Sequence, residues 1–139
     1  MYPARQCREL GIDVDLDAAA RLWSTAMALP EPDEAGPPRW LHADLLGENL
    51  LLRGGRLSAL LDLGGLAVGD PTVDLICAWE LLDAPARRVF RELLDVPDDE
   101  WQRGRAWALA IAVMTFPYYA RSMPQRCADR LVKIGRAHV

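Results

Sequence analysis

The chain has 139 residues, 51% of them hydrophobic and 26% charged, which supplies one domain with a real core and excludes a disordered polymer. A formal charge of −4 without any long basic run argues against a nucleic-acid partner, and no segment reaches the roughly 20 apolar residues that a membrane span needs. MYPARQCREL lacks the apolar core of a secretory leader, and Cys7, Cys77 and Cys127 form no C-x-x-C pair, as expected for reduced thiols of a cytoplasmic protein.

In chain order, DVDLDAAARLWSTAMALP predicts a helix capped by Asp15 or Asp17, with Leu16, Ala20, Leu22, Trp23 and Met27 on one apolar stripe and Pro30 ending it. EPDEAGPPR reads as a polar surface loop. Next, WLHADLLGENLLL sets His42, Asp44 and Asn49 into a run otherwise suited to burial. Residues 50–53, the pair Gly54-Gly55 and residues 56–62 predict a β-hairpin, because paired glycines supply the positive φ angles of a two-residue turn. Beyond it the chain reads as helical. Asp70-Pro71 opens a helix to about Leu82, Asp83 or Ala84 with Pro85 opens a second, and Pro97-Asp98 opens a third to about Phe116, with Pro117 and Pro124 breaking the remaining chain into shorter pieces. The final IGRAHV reads like translated sequencing adapter, so residues 134–139 are set aside as a non-native tail.

The hairpin explains part of the polar pattern. If Arg53 faces Arg56, counting back puts Asn49 opposite Leu60 and makes Asp62 its diagonal neighbour, with Cβ atoms roughly 7 Å apart on one face. Amide and carboxylate oxygens suit a hard cation such as Mg²⁺, and Asp44 brings a second carboxylate to the same corner.

At these residues the sequence resembles the aminoglycoside and macrolide phosphotransferases, whose C-lobe is built like that of protein kinases. His42-Ala43-Asp44 and Asn49 keep the H-x-D-x-x-x-x-N spacing of the kinase catalytic loop, and Asp62-Leu63-Gly64 stands where D-F-G would. LAVGDPTVDL is similar to the family's G-D-P-x-x-D-L segment. The resemblance implies Asp44 as the base that takes the proton of the acceptor hydroxyl, Asn49 and Asp62 as ligands of Mg²⁺, and ATP or GTP as phosphoryl donor. It also implies His42 as a brace of the loop and Asp74 as acceptor of loop backbone amides, with Asp70 capping the following helix.

The family loop commonly runs H-G-D-x-x-P-G-N, and here Ala43, Gly47 and Glu48 replace the first Gly, the Pro and the second Gly. Ala43 calls for negative φ, which would alter the start of the loop, and Glu48 is expected to face solvent rather than a cationic substrate. Arg87, Arg88, Arg91, Arg103 and Arg105 read as a solvated face. The tryptophans and tyrosines of the helical stretches read as packing residues. A metal hydrolase built on His42, Asp44 and Asp62 is a poor fit for a chain whose other histidine is His138. A catalytically silent kinase-like binding module would not need Asp44, Asn49 and Asp62 intact.

Kinase chemistry also draws on a Gly-rich loop and a strand Lys paired with a helix Glu, all from an N-lobe. No Gly-rich loop precedes His42, and the single lysine is Lys133. The expected fold is therefore α+β, mainly α: a protein-kinase-like C-terminal lobe spanning residues 1–133 as a partial domain, with a small β-hairpin after the catalytic loop and the N-lobe missing. Its hairpin and the residues around Trp40 and Leu41 should be partly exposed. The acceptor would be a hydroxyl of an aminoglycoside, a macrolide or another small metabolite, to which Glu80, Asp83, Asp98, Asp99 and Glu100 could present negative charge.

Overall fold

The computed structural model describes Glu9 and residues 15–30 and 37–135. Cys7, the connector over 31–36 and the end of the tail, 136–139, lie outside the described residues. The elements run α1 (Leu16–Ala26), β1 (Arg39–Leu41), a 3-10 turn (Gly47–Asn49), β2 (Leu50–Arg53), β3 (Arg56–Leu60), a 3-10 turn (Leu63–Gly65), β4 (Ala67–Gly69), a 3-10 segment (Pro71–Ile76), α2 (Cys77–Glu80), α3 (Ala84–Leu94), α4 (Asp98–Tyr119) and α5 (Pro124–Gly135). Helix dominates, and the strands form two separate antiparallel ribbons, β1–β4 and β2–β3.

The caps follow local chemistry. Asp15 accepts from the Ala18 amide at 2.8 Å and Asp83 from the Ala86 amide at 2.9 Å, each satisfying a first-turn donor that has no partner within its helix. Asp70 holds both the amide and the hydroxyl of Thr72, at 3.0 and 2.7 Å, and Pro71 follows as the first residue of the segment. That tight cap starts a 3-10 segment rather than the single α-helix to Leu82 that the sequence predicts. Pro117 does not break α4, which continues to Tyr119, and Pro124 opens α5 instead of interrupting a helix. Pro124 stands at the first helical position, where a missing N–H costs nothing, whereas Pro117 forgoes the bond that an N–H there would give the Val113 carbonyl and the helix ends two residues later.

The buried face of α1 also differs from the expected stripe. Ala18 and Leu22 are buried, whereas Ala20, Trp23 and Met27 are exposed. Residues four apart on a helix share a face, and the face carrying 18 and 22 is the one turned toward α4.

The core is helical. Leu75, Ile76, Ala78 and Trp79 pack with Ala108, Leu109, Ala112 and Phe116 of α4 and with Cys127, Leu131 and Ile134 of α5. Gly104 permits the closest approach: a Cβ there would lie 2.7 Å from Leu75 Cβ and 3.1 Å from the Thr72 carbonyl oxygen. Arg87, Arg103 and Arg105 do not form a solvated face; all three are buried, and only Arg88 of that group is fully exposed, with Arg91 intermediate. Their guanidinium groups bond backbone carbonyls, Arg105 donating to the buried Ile134 O at 3.1 and 2.8 Å and Arg103 to Pro30 O at 2.6 Å. Ile134 is thus a core residue, and the chain set aside as a tail begins inside the fold.

Ribbon β1–β4 pairs Arg39 with Gly69, Trp40 with Val68 and Leu41 with Ala67, bringing distant segments together just before His42 and Asp70. Alternation along β1 buries Leu41 and leaves Trp40 72% exposed, so only one of the two residues expected to be bared is. Gly54 and Gly55, with φ of 58° and 75°, turn the hairpin as expected, and Arg53 faces Arg56. A bulge then inserts Ser58, since Leu51 faces Ala59 while Leu52 faces Leu57. Leu60 therefore faces Leu50, and Asn49 is not its partner as counted from the turn.

The tight seam between α4 and the 71–76 segment yields a measurable expectation. Gly104→Ala should overpack Leu75 at a cost of about 1–3 kcal/mol, outweighing the up to ~1 kcal/mol that alanine gains in helix propensity. Denaturant unfolding should show a lower midpoint at unchanged slope; equal or higher stability would contradict the close seam.

Candidate active site

The loop from His42 to Asn49 is organised by one carboxylate. Asp74, on the 3-10 segment, accepts the His42 amide at 2.7 Å on one oxygen and the Ala43 amide at 2.8 Å on the other. Immediately after these two amides Ala43 adopts φ of 66°, the left-handed conformation that a glycine enters freely and alanine enters at about 1–2 kcal/mol. Ala43 therefore keeps a glycine-like start to the loop, contrary to the negative φ expected from its side chain. Gly65 packs against this turn, where a Cβ would come within 3.0 Å of the His42 carbonyl oxygen.

His42 is buried and its Nε2 lies 2.9 Å from the Leu61 carbonyl oxygen. Since a carbonyl only accepts, Nε2 carries the proton, and Nδ1 is a buried acceptor with no partner among the described residues. The other backbone group of Leu61, its amide, donates to Asn49 O at 2.8 Å. Leu61 is thus bonded to both ends of the loop, and Asp62 follows it directly.

Asp44 and Asn49 meet inside the loop. The Asn49 side-chain amide donates to the Asp44 carboxylate at 2.7 Å and to the Asp44 carbonyl oxygen at 2.9 Å, and Asn49 is buried. Asp62 is exposed, with φ of 56°, and its Oδ1 accepts a long bond from the Gly64 amide at 3.3 Å. Because Asn49 belongs to a 3-10 turn and Asp62 to a left-handed kink, their orientation is not set by strand alternation, as the hairpin count assumed. Among the described residues no three His, Cys, Asp or Glu side chains gather into a metal cage.

Glu48 is exposed, as expected, and is also paired. Nη2 of Arg126, on α5, donates to both of its carboxylate oxygens at 2.9 and 2.8 Å. Partial burial works against the ionised form, but the Arg126 hydrogen bonds and charge outweigh it and hold the Glu48 carboxyl below its ordinary range. Arg126, Asp129, Arg130 and Lys133 of α5 line, with Gly47, Glu48, Glu80 and Leu81, an open cleft of about 420 Å³ beside the loop. Glu80 is already paired with Arg130, Asp98 with Arg91, and Asp83 with its helix cap, so these acids first serve the fold. Cys77, whose Sγ donates to Asp74 O at 3.2 Å, is pushed up to about 11, by burial first and by the Asp74 charge second, and stays a thiol.

The site thus has a carboxylate and an amide in contact, on a loop pinned through its backbone and followed by the exposed carboxylate of Asp62. The chain matches the model of the phosphotransferase enzyme family (APH) over residues 2–107, and it belongs to that family. No curated protein and no solved structure gives a significant match. Arg126 and the rest of α5 lie beyond the matched residues, and no motif in the sequence pairs Glu48 with a residue 78 positions away.

The Asp74 contacts make a paired test. Asp74→Asn turns one acceptor oxygen into a donor that opposes an amide N–H, and should cost about 1–3 kcal/mol. Ala43→Gly relieves the left-handed strain and should be neutral or stabilising by up to ~1 kcal/mol. Chemical unfolding with hydrogen exchange at the 42 and 43 amides checks both; an Asp74→Asn protein as stable as wild type would deny Asp74 its place in holding the loop.

Proposed function

We propose that the protein transfers the γ-phosphoryl group of ATP or GTP to a hydroxyl of a small molecule in the cytoplasm, with aminoglycoside and macrolide antibiotics as the favoured acceptors and drug resistance as the outcome. The observation that carries this reading is the Asn49 to Asp44 contact at 2.7 Å within an H-x-D-x-x-x-x-N loop of a phosphotransferase-family chain. Asp44 would take the proton of the acceptor hydroxyl as its oxygen bonds the γ-phosphorus and the bond to the nucleoside diphosphate breaks. Asn49 fixes that carboxylate through its NH₂ group, which leaves its amide oxygen unspent on Asp44. Asn49 and Asp62 would hold Mg²⁺, whose remaining positions suit water and phosphate oxygens, and whose charge offsets the negative charge of the transferring group. The hard-oxygen donors fit that cation. His42 and Asp74 brace the loop and touch neither substrate.

We propose further that the chain is the C-lobe of this enzyme, supplying the acceptor and metal side of the centre. Lys133, the single lysine, donates to Glu80 O at 3.2 Å and is occupied within the helical core. The two ribbons bare Trp40, Leu52, Leu57, Leu63 and Val68, each more than half exposed, an apolar surface suited to a covering lobe. Neither nucleic acid nor membrane is a proposed partner; among the described residues no helix is long and apolar enough to cross a membrane.

Two measurements test these readings. In the form that contains a nucleotide-clamping lobe, Asp44→Asn should lower turnover by about 10²–10⁴-fold with nucleotide affinity nearly intact, while Asp62→Asn should weaken Mg²⁺-nucleotide binding. Near-wild-type turnover in Asp44→Asn would remove its role as base. For the 139-residue chain, calorimetric titration should give Mg²⁺-ATP binding no tighter than about millimolar, because a C-lobe by itself would supply only part of the orienting contacts. Micromolar binding would refute the C-lobe assignment.

A further inference from the structure

We propose that Arg126 is a positioning residue for the Asp44–Asn49 site, acting from α5 through Glu48. This inference rests on the phosphotransferase reading above. Glu48 immediately precedes Asn49, and both belong to the Gly47–Asn49 turn. Within the loop, that turn is held by the Asn49 amide on Leu46 O at 3.0 Å and by the Leu50 amide on Gly47 O. Such a short turn is weak by itself, since 3-10 hydrogen bonds are poorly aligned.

Two outside contacts complete it. Gly47 lies so close to α2 that a Cβ would come within 3.1 Å of Leu81 Cδ2, which fixes how near the turn can approach the helices. Arg126 then grips Glu48 through both carboxylate oxygens, which fixes its rotation about that contact. The anchor beneath Arg126 is firm, because Arg130, one helical turn further along α5, is buried against Glu80 and bonds Thr115 Oγ1 at 3.1 Å. Burial is concentrated at the base of this chain of contacts: the Glu48 and Arg126 side chains are 50% and 37% exposed, the Arg130 and Glu80 side chains 7% and 10%.

A half-exposed ion pair contributes little to global stability. Its loss therefore changes the placement of Asn49 without unfolding the domain, and placement errors of about 1 Å cost up to ~100-fold in rate. Because Asn49 contacts Asp44 directly, a displaced turn moves the amide off the carboxylate.

The test uses the 139-residue chain with Arg126→Gln, Arg126→Lys and the charge swap Glu48→Arg with Arg126→Glu. Hydrogen exchange at the 49 and 50 amides reports the turn without reference to activity. Mn²⁺ titration followed by electron paramagnetic resonance, with ATP at millimolar concentration, reports the metal side. Arg126→Gln should keep its melting temperature within a few degrees of wild type, speed exchange at both amides and weaken Mn²⁺ binding by about tenfold. Arg126→Lys and the charge swap should each recover part of the loss, which a role in bulk packing would not allow. Unchanged exchange, or faster exchange with unchanged Mn²⁺ affinity, overturns the proposal. If the wild-type chain and Asp62→Asn bind Mn²⁺ equally poorly, the phosphotransferase reading of the metal site fails instead, and positioning by Arg126 for that site fails with it even where exchange responds.

Discussion

The site depends on the carboxylate of Asp74 receiving two consecutive backbone amides. The His42 and Ala43 N–H groups both point at that one acceptor, and the chain then leaves the pair through a left-handed Ala43 despite its side chain. The strain is sustained because each amide gains a charge-assisted bond. That turn sets the direction of His42 into the interior and the return of the loop toward Asn49. Leu61 then closes the arrangement by bonding His42 and Asn49 with its two backbone groups, which seats Asp62 beside the loop.

Asp74 can serve as that anchor because its own segment is immobilised. Asp70 caps it, Leu75 and Ile76 enter the core, and Gly104 lets α4 approach to a distance that a methyl group would block. The buried arginines extend the same logic to the chain ends of helices. Arg105 satisfies the carbonyl of Ile134, which burial would otherwise leave without water or a donor, and Arg103 ties down that of Pro30 at the surface. Helices rich in alanine thus pack closely, while long guanidinium arms seal their ends.

The two ribbons are of a different character. They are short, separate and apolar on their outer surface, and they owe their position to pairing at their ends with the loop and the 71–76 segment. Family membership makes the chain a phosphotransferase-family protein, and the loop lies beside this open apolar surface.

The resemblance of the H-x-D-x-x-x-x-N, D-L-G and G-D-P-x-x-D-L segments to the phosphotransferase family marked His42, Asp44, Asn49, Asp62 and Asp74, because those motifs are contiguous in sequence. Local chemistry likewise determined the caps at Asp15, Asp70 and Asp83, the glycine turn, and the helical character after Pro71, since each depends on neighbours a few residues away. Tertiary structure decided the rest. The Ser58 bulge moved the hairpin register, because cross-strand fit rather than residue count sets pairing. Ala43 is left-handed at a local cost of about 1–2 kcal/mol, at the turn where its amide meets Asp74, thirty-one residues away. Arg87, Arg103 and Arg105 went inside, and Glu48 found Arg126, because hydrogen-bond partners supplied by distant segments carry no periodicity that a sequence could display.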